Sequence, residues 1–173
     1  MRKVEIVAHD PNWQKEFERE SRHLAKALGR NLKAIHHIGS TAIPCIYAKP
    51  IIDFLGEVEA IATVDLCNSA METLGYEAMR EYGIPGRRYF RKDNAAGIRT
   101  HHVHIFETGS DQIRRHLSFR DYMRTYPEDA QAYSNLKRKL AKAHPTDIEA
   151  YMDGKHDFIQ VMDRKAALWR SPD

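Results

Sequence analysis

The chain has 173 residues, and its 27 lysines and arginines nearly balance its 24 aspartates and glutamates, which leaves a formal net charge of +3. This length predicts one domain, over residues 1–173, that can bury a core without disulfide bonds, and the small charge gives no reason to expect a nucleic-acid partner. No apolar run reaches the roughly 20 residues that cross a bilayer, and the two cysteines form no metal or disulfide pattern, so we expect a cytoplasmic protein without a membrane partner.

The first part of the chain predicts a helix followed by two strands. Asp10 can cap the helix at its start and Gly29 can end it. The segment KAIHHIG (33–39) alternates like a strand, and a loop or short helix follows it to Pro44. The segment IIDFL (51–55) predicts the second strand, because its β-branched start favours an extended backbone.

The middle of the chain predicts one further helix and three further strands. Residues 63–74 form the helix, with Leu66 and Met71 on its buried stripe. Gly-rich turns separate the strand segments, which are 76–82, 88–92 and 100–107.

From Ser110 onward the pattern becomes helical. The predicted helices are 111–124, 127–144 and 146–169. In the last of them, Gly154 marks a position where the helix can break. The order of elements predicts an α+β fold with a mixed or antiparallel sheet flanked by helices. Its strand-rich part covers about 30–108, and its helical C-terminal part covers about 110–170.

A glycine-serine turn and an acid on the next strand form the first candidate site. Gly39, Ser40 and Thr41 follow the first strand, and Asp53 lies within the second. Such a turn lets backbone N–H groups approach a phosphate closely, because glycine has no side chain. A carboxylate nearby can hold Mg²⁺ that also binds the phosphate. The alternative is an ordinary turn with an acid that faces solvent.

A histidine pair forms the second candidate site. In the segment THHVHIF (100–106), His102 and His104 point to the same face of the predicted strand. Two imidazoles at this spacing can converge on one metal ion. Histidines also pair on sheets for packing and hydrogen bonding, so this alternative stays open.

Cationic side chains form the third candidate group. Most of them are expected to face solvent, but Lys49 is held beside Pro50, and Lys137 lies one helical turn after Tyr133. A positive group near a metal and a phosphate would neutralise charge on the phosphate.

Several long segments resemble one protein family. They are HHIGSTAIP, AKPIIDFLGEVE, RTHHVHIFETGS, RRHLSFRDYMRTYPEDAQAYSNLK and the closing segment 151–158. In this order, over nearly the whole chain, they look like the GrpB family. That family is similar to the nucleotidyltransferase superfamily and is sometimes fused to an enzyme of coenzyme A synthesis.

The resemblance implies a nucleotidyltransferase-like fold and a specific set of site residues. The superfamily pattern is a Gly-Ser turn followed by a strand with two acids two residues apart, which bind a pair of divalent cations. Asp53 matches the first acid, but Leu55 stands at the second position, and Glu57 could reach the site only if the strand bends. His102 and His104 stand in for the acid of a later strand.

Together these features predict a metal-dependent nucleotidyltransferase-like protein that binds a nucleotide or another phosphorylated small molecule. Asp53 and His104 would be catalytic, and with His102 they would hold Mg²⁺ or Mn²⁺, or a softer ion such as Zn²⁺ or Ni²⁺. The alternatives are a non-catalytic nucleotide- or metabolite-binding module and a phosphohydrolase with a histidine-bound metal. The sequence leaves the substrate and the oligomeric state open. The residues predicted to bind nucleotide or phosphate are Gly39, Ser40, Thr41, Lys49, Arg88, Tyr133 and Lys137.

Overall fold

The computed structural model describes residues 3–171, so the first two and last two residues of the predicted domain lie outside the described residues. The chain divides into two compact units, each built from separate segments. Unit 1 comprises Met1–Asp10, Gly39–Pro50 and Arg115–Asp173, and unit 2 comprises Pro11–Ile38 and Ile51–Arg114. The expectation of a single domain over residues 1–173 stays a prediction.

Unit 2 contains a five-stranded mixed sheet, which confirms the predicted α+β class. Its strands are β1 (Leu32–Ile38), β2 (Ile52–Val58), β3 (Tyr76–Ala78), β4 (Arg88–Asp93) and β5 (Arg99–Glu107). The spatial order is β1-β2-β5-β4-β3. β2 and β5 run parallel, and all other neighbours are antiparallel.

Strand β2, which lies between β1 and β5, is covered on both faces. Phe54, Leu55 and Val58 are each 0% exposed, which explains why this strand reads as an almost continuous apolar run. Gly56 allows β5 to approach closely, because a Cβ atom there would lie 3.3 Å from Cγ1 of Ile105. Asp53 is therefore a charged residue in a strand whose apolar side chains are fully buried.

A long helix, α1 (Asn12–Leu28), packs on one face of this sheet, which we call the α1 face. The ring of Phe17 stacks on His37 at 4.9 Å and on Phe54 at 5.3 Å between centroids. Pro11, predicted at the first helical position, has helical backbone angles of φ −58° and ψ −21°, and the cap at Asp10 stays a prediction. The opposite face carries Asp53 and is called the Asp53 face.

Two predicted elements of unit 2 are shorter than expected. The predicted helix 63–74 consists of a 3₁₀ helix (Ile61–Cys67) and a short helix α2 (Asn68–Thr73), and this change of helix type leaves Leu66 84% exposed. The predicted strand 76–82 ends at Ala78. Arg80 and Tyr82 have φ values of 55° and 46°, which no strand residue adopts.

Unit 1 is predominantly helical, as the sequence predicts for the C-terminal part. The helices are α3 (Asp111–Thr125), whose first four residues belong to unit 2, α4 (Pro127–Ala143) and α5 (Ile148–Arg170). Ile43 and Ile46, from the segment after β1, are buried in the core of the unit. The other buried members of that core are Tyr122, Met123, Ala130, Tyr133, Met162 and Ala166.

Helix α5 continues through Gly154 without a break, so the break considered from the sequence does not occur. The glycine accommodates α4 instead, since a Cβ atom there would lie 3.3 Å from Cγ of Leu140 and closer still to its methyl groups. Within residues 3–171, every helix is too short or too polar to cross a membrane.

Candidate functional site

The register of the sheet brings one acid and two histidines together on the Asp53 face. β2 and β5 pair in parallel with Asp53 opposite His102, and His104 follows on the same face one strand period later. Nδ1 of His102 lies 3.2 Å and Nε2 of His104 lies 3.3 Å from the same oxygen, Oδ1 of Asp53. We call these three residues the Asp53 group.

Hydrogen bonds keep Asp53 in its charged form. Burial would raise its pKa, but the hydrogen bonds and electrostatic interactions with His102 and His104 outweigh burial and hold the pKa of Asp53 well below its usual range. The carboxylate therefore stays negative at neutral pH. It is the charged centre of this face.

Arg87, which directly precedes β4, determines which nitrogen of His104 carries the proton. Its Nη1 lies 3.2 Å from Nδ1 of His104, and a guanidinium group can only donate, so Nδ1 must accept. Neutral His104 then carries its proton on Nε2 and donates it toward Asp53. Arg87 is itself held by the carbonyl groups of Glu81 and Tyr82.

The Asp53 group fits a single divalent ion by its donor set. Each of the three residues can offer one ligand atom, and these atoms lie within 4.8 Å of one another. One carboxylate and two imidazoles suit Mn²⁺ or Zn²⁺ better than a pair of Mg²⁺ ions. Binding through Nε2 of His104 would require its proton to move or leave, and the hydrogen bond from Arg87 opposes a proton on Nδ1.

The second acid of the nucleotidyltransferase pattern is absent from this face. Leu55 occupies its position and is 0% exposed. Glu57 lies further along β2, where its Oε2 is 2.5 Å from Nε2 of His36. Strand β2 stays paired with both of its neighbours at Glu57. The structure therefore brings one acid, not two, to the histidines.

The glycine-serine turn directly follows β1. Ile38, the last residue of β1, pairs with Asp53, and Gly39 then adopts a φ of 75°, which favours glycine. Ser40 and Thr41 belong to a single 3₁₀ turn that ends at Ala42. These three predicted site residues belong to unit 1, whereas the Asp53 group belongs to unit 2.

Unit 1 brings three lysines and two tyrosines together, and we call these residues the lysine cluster. Nζ of Lys137 lies 4.3 Å from the ring centroid of Tyr133. The ring of Tyr151 is flanked by Nζ of Lys49 at 4.7 Å and Nζ of Lys155 at 5.1 Å. Tyr151 and Lys155 were not among the predicted site residues, although both lie in or beside the motif 151–158.

Lys137 is the most unusual member of the lysine cluster. It is 1% exposed, and its Nζ forms no hydrogen bond within the described residues. Burial, together with the charges of Lys155 and Lys49, lowers the pKa of Lys137 to about 7. A buried cation without a hydrogen-bond acceptor is costly, and an anion bound among these lysines would remove that cost.

Arg88 lies apart from the Asp53 group. It alternates along β4 with Tyr89, whose ring lies beside His102 and His104, so Arg88 points away from the Asp53 face. Its guanidinium donates to both carboxylate oxygens of Asp65, at 2.8 Å and 3.2 Å. The guanidinium of the neighbouring Arg87 is the one that contacts His104.

Comparison with known proteins connects the whole chain to one family. A family model described as GrpB protein matches residues 3–165. The UPF0157 protein YqkA of Bacillus subtilis (strain 168) is 45% identical over 169 residues, which cover 98% of this chain and 49% of YqkA. The chain thus spans about half the length of that relative.

Two solved structures are similar to this chain. The crystal structure of the conserved protein GrpB from Enterococcus faecalis has a TM-score of 0.90 and 45% identity, and the match covers 94% of this chain and 96% of that one. The structure of Cid1 in complex with its short product ApU has a TM-score of 0.55 at 11% identity, over 79% of this chain and 43% of that one. The second likeness concerns the fold alone.

Proposed function

The chain belongs to the GrpB family, and from this premise we propose that it is a metal-dependent, nucleotidyltransferase-like protein that binds a nucleotide or another phosphorylated small molecule. The observation that carries the proposal is the convergence of Asp53, His102 and His104 on one face of the sheet. In this proposal the three residues hold Mn²⁺, Mg²⁺ or a softer divalent ion. Asp53 and His104 act directly at the reacting phosphate.

The lysine cluster of unit 1 supports a phosphorylated ligand. Lys137 is buried without a hydrogen-bond acceptor, and Lys49 and Lys155 add positive charge around Tyr151. Phosphate oxygens are strong acceptors that would pair with such groups. Lys49, Tyr133 and Lys137 are therefore proposed to bind the phosphates, together with backbone groups of the turn at Gly39, Ser40 and Thr41.

In the mechanism that these residues support, each group has a simple role. A divalent ion would polarise the phosphoryl group and stabilise its developing negative charge. The carboxylate of Asp53 would bind that ion, because it stays charged at neutral pH. Lys137 would be protonated when it pairs with a phosphate bound to unit 1.

A second candidate is a nucleotide-binding module that has lost transfer chemistry. Leu55 at the position of the second acid favours it. Arg87 favours it as well, because its hydrogen bond to Nδ1 of His104 leaves Asp53 accepting two imidazole N–H groups without any metal. This candidate predicts binding of the ligand without a metal requirement and without turnover.

Thermal unfolding with nucleoside triphosphates, with and without Mn²⁺ or Mg²⁺, tests the proposal. A ligand at about 100 times its dissociation constant adds about 2.7 kcal/mol of stability, which raises the Tm of a domain of this size by several degrees. We expect a metal-dependent rise for the wild type and none for Asp53→Asn. The matched control is Glu57→Gln, which changes an acid on the same strand and face outside the Asp53 group.

The outcomes separate the candidates. A rise that persists in Asp53→Asn and without metal would contradict the first candidate and support the second, whereas no rise with any nucleotide would contradict both. Release of phosphate from the nucleotide without an acceptor would indicate the phosphohydrolase alternative. Arg87→Gln provides a further test. An amide oxygen can accept a hydrogen bond from the N–H at Nδ1 of His104, which leaves Nε2 without a proton, so this change should strengthen Mn²⁺ binding by about tenfold.

A further inference from the structure

His101 projects to the opposite face of the sheet from its neighbour His102 and meets helix α1. Glu16 and Glu20 lie four positions apart on α1, so both carboxylates extend from the same side of that helix. Nε2 of His101 lies 3.4 Å from Oε1 of Glu16 and 3.4 Å from Oε2 of Glu20. One ligand atom from each residue lies within 4.8 Å of the others.

The imidazole of His101 is fixed in position and directed at the two carboxylates. Its ring stacks on Phe54 at 5.9 Å between centroids, and its Nδ1 lies 2.7 Å from Oγ1 of Thr100. The side chain is 9% exposed, yet Nε2 forms no hydrogen bond within the described residues. A hydrogen bond at one ring nitrogen and a free second nitrogen is the usual arrangement of a metal-binding histidine.

From this arrangement we propose that Glu16, Glu20 and His101 bind a second divalent transition-metal ion, on the α1 face of the sheet. One imidazole and two carboxylates are a donor set that Zn²⁺ accepts. Glu16 has a side chain that is 32% exposed, so water can complete the coordination. The proposal is independent of the proposed function, because it concerns the other face of the sheet.

Nearby cations leave room for this ion. Nζ of Lys92 lies 2.7 Å from Oε2 of Glu20 and balances the charge of that carboxylate. Arg19 pairs with Oε2 of Glu16 and leaves Oε1 directed toward His101. The ion would connect α1 to β5, so its role is structural and involves no change of oxidation state.

The test measures Zn²⁺ bound per chain after equilibrium dialysis of the full-length protein. Glu16→Gln should lose one ion relative to the wild type, because it removes one ligand and leaves the buried pair of Glu20 and Lys92 intact. Glu18→Gln, an exposed acid on the same helix, should lose none. Zn²⁺ should raise the Tm of the wild type and Glu18→Gln by more than that of Glu16→Gln.

Two results would overturn the proposal. One is equal Zn²⁺ content in Glu16→Gln and Glu18→Gln. The other is an NMR titration of the wild type in which Zn²⁺ leaves the ring resonances of His101 unchanged. Asp53→Asn keeps this test distinct from that of the proposed function, since it should remove only the ion on the Asp53 face and leave the effect of Glu16→Gln intact.

Discussion

Lys137 is a buried charged residue whose position the proposed anionic ligand would explain. The residue is 1% exposed, its ammonium group lies over the ring of Tyr133 on its own helix, and the charges of Lys155 on α5 and Lys49 on the segment after β1 act on it. These neighbours include two further cations and no acid. Stability alone would favour an apolar residue at this position, so the lysine is better explained by a bound anion.

The burial of Lys137 predicts how the free energy of unfolding depends on pH. The pKa of Lys137 falls from an ordinary value of 10.5 to about 7 on folding, so the unfolded chain binds more protons between these pH values. Stability therefore rises with pH over this window, by about 2 kcal/mol between pH 7 and pH 9, since one pKa unit corresponds to about 1.4 kcal/mol.

Replacing Lys137 by methionine should remove this dependence and stabilise the protein at pH 7 by about 1–3 kcal/mol. Urea unfolding at pH 7 and pH 9 measures both effects, with Lys139→Met, an exposed lysine on the same helix, as the control. If the two variants show the same pH dependence as the wild type, Lys137 does not titrate in this range.

The candidate site could be predicted from the sequence only in part. Alternation along β5 places His102 and His104 on one face, and the resemblance to a known pattern identifies Asp53. The sequence could not decide between Arg87 and Arg88, because the position at which β4 begins determines which guanidinium reaches the histidines. Tyr151 and Lys155 were missed because their role depends on the packing of α5 on α4.

At the scale of elements, the strands and long helices follow from local pattern, and the errors have local causes. Positive φ values at Arg80 and Tyr82 end β3 early. Gly154 suggested a break because glycine disfavours helices by about 1 kcal/mol relative to alanine. The glycine is needed for a contact with Leu140, a residue fourteen positions away that no local pattern indicates.

Gly154→Ala should therefore destabilise the protein despite its better helix propensity. A new Cβ would overlap the methyl groups of the half-buried Leu140, and we expect a cost of about 1–2 kcal/mol, in the lower part of the range for overpacking. In a Leu140→Ala background the same change should stabilise by about 1 kcal/mol, because only the propensity gain remains. Urea unfolding of the four proteins in this cycle measures both values. If Gly154→Ala changes the free energy of unfolding in the same direction in both backgrounds, the steric explanation is contradicted.

At the scale of the whole molecule, the order of elements along the chain does not show how the two units are assembled. The sequence predicts a strand-rich part followed by a helical part, but unit 1 also takes the segment Gly39–Pro50 from between β1 and β2. Ile43 and Ile46 are buried with the helices, and the N–H of Tyr47 donates to Oγ of Ser134 at 2.9 Å. An interleaved assembly of this kind depends on long-range contacts.

Native-state hydrogen exchange should therefore group this segment with the helices of unit 1. The amide of Tyr47 is bonded to Ser134 and the amide of Ala48 to the carbonyl of Val7, so both exchange only when unit 1 opens. Gly154→Ala should speed exchange at Tyr47 and Ala48 by about 5- to 30-fold, the factor that 1–2 kcal/mol represents. The amides of β2 and β5 should change less, because their bonds lie within unit 2. Equal acceleration at both sets of amides would mean that the molecule opens as one cooperative unit.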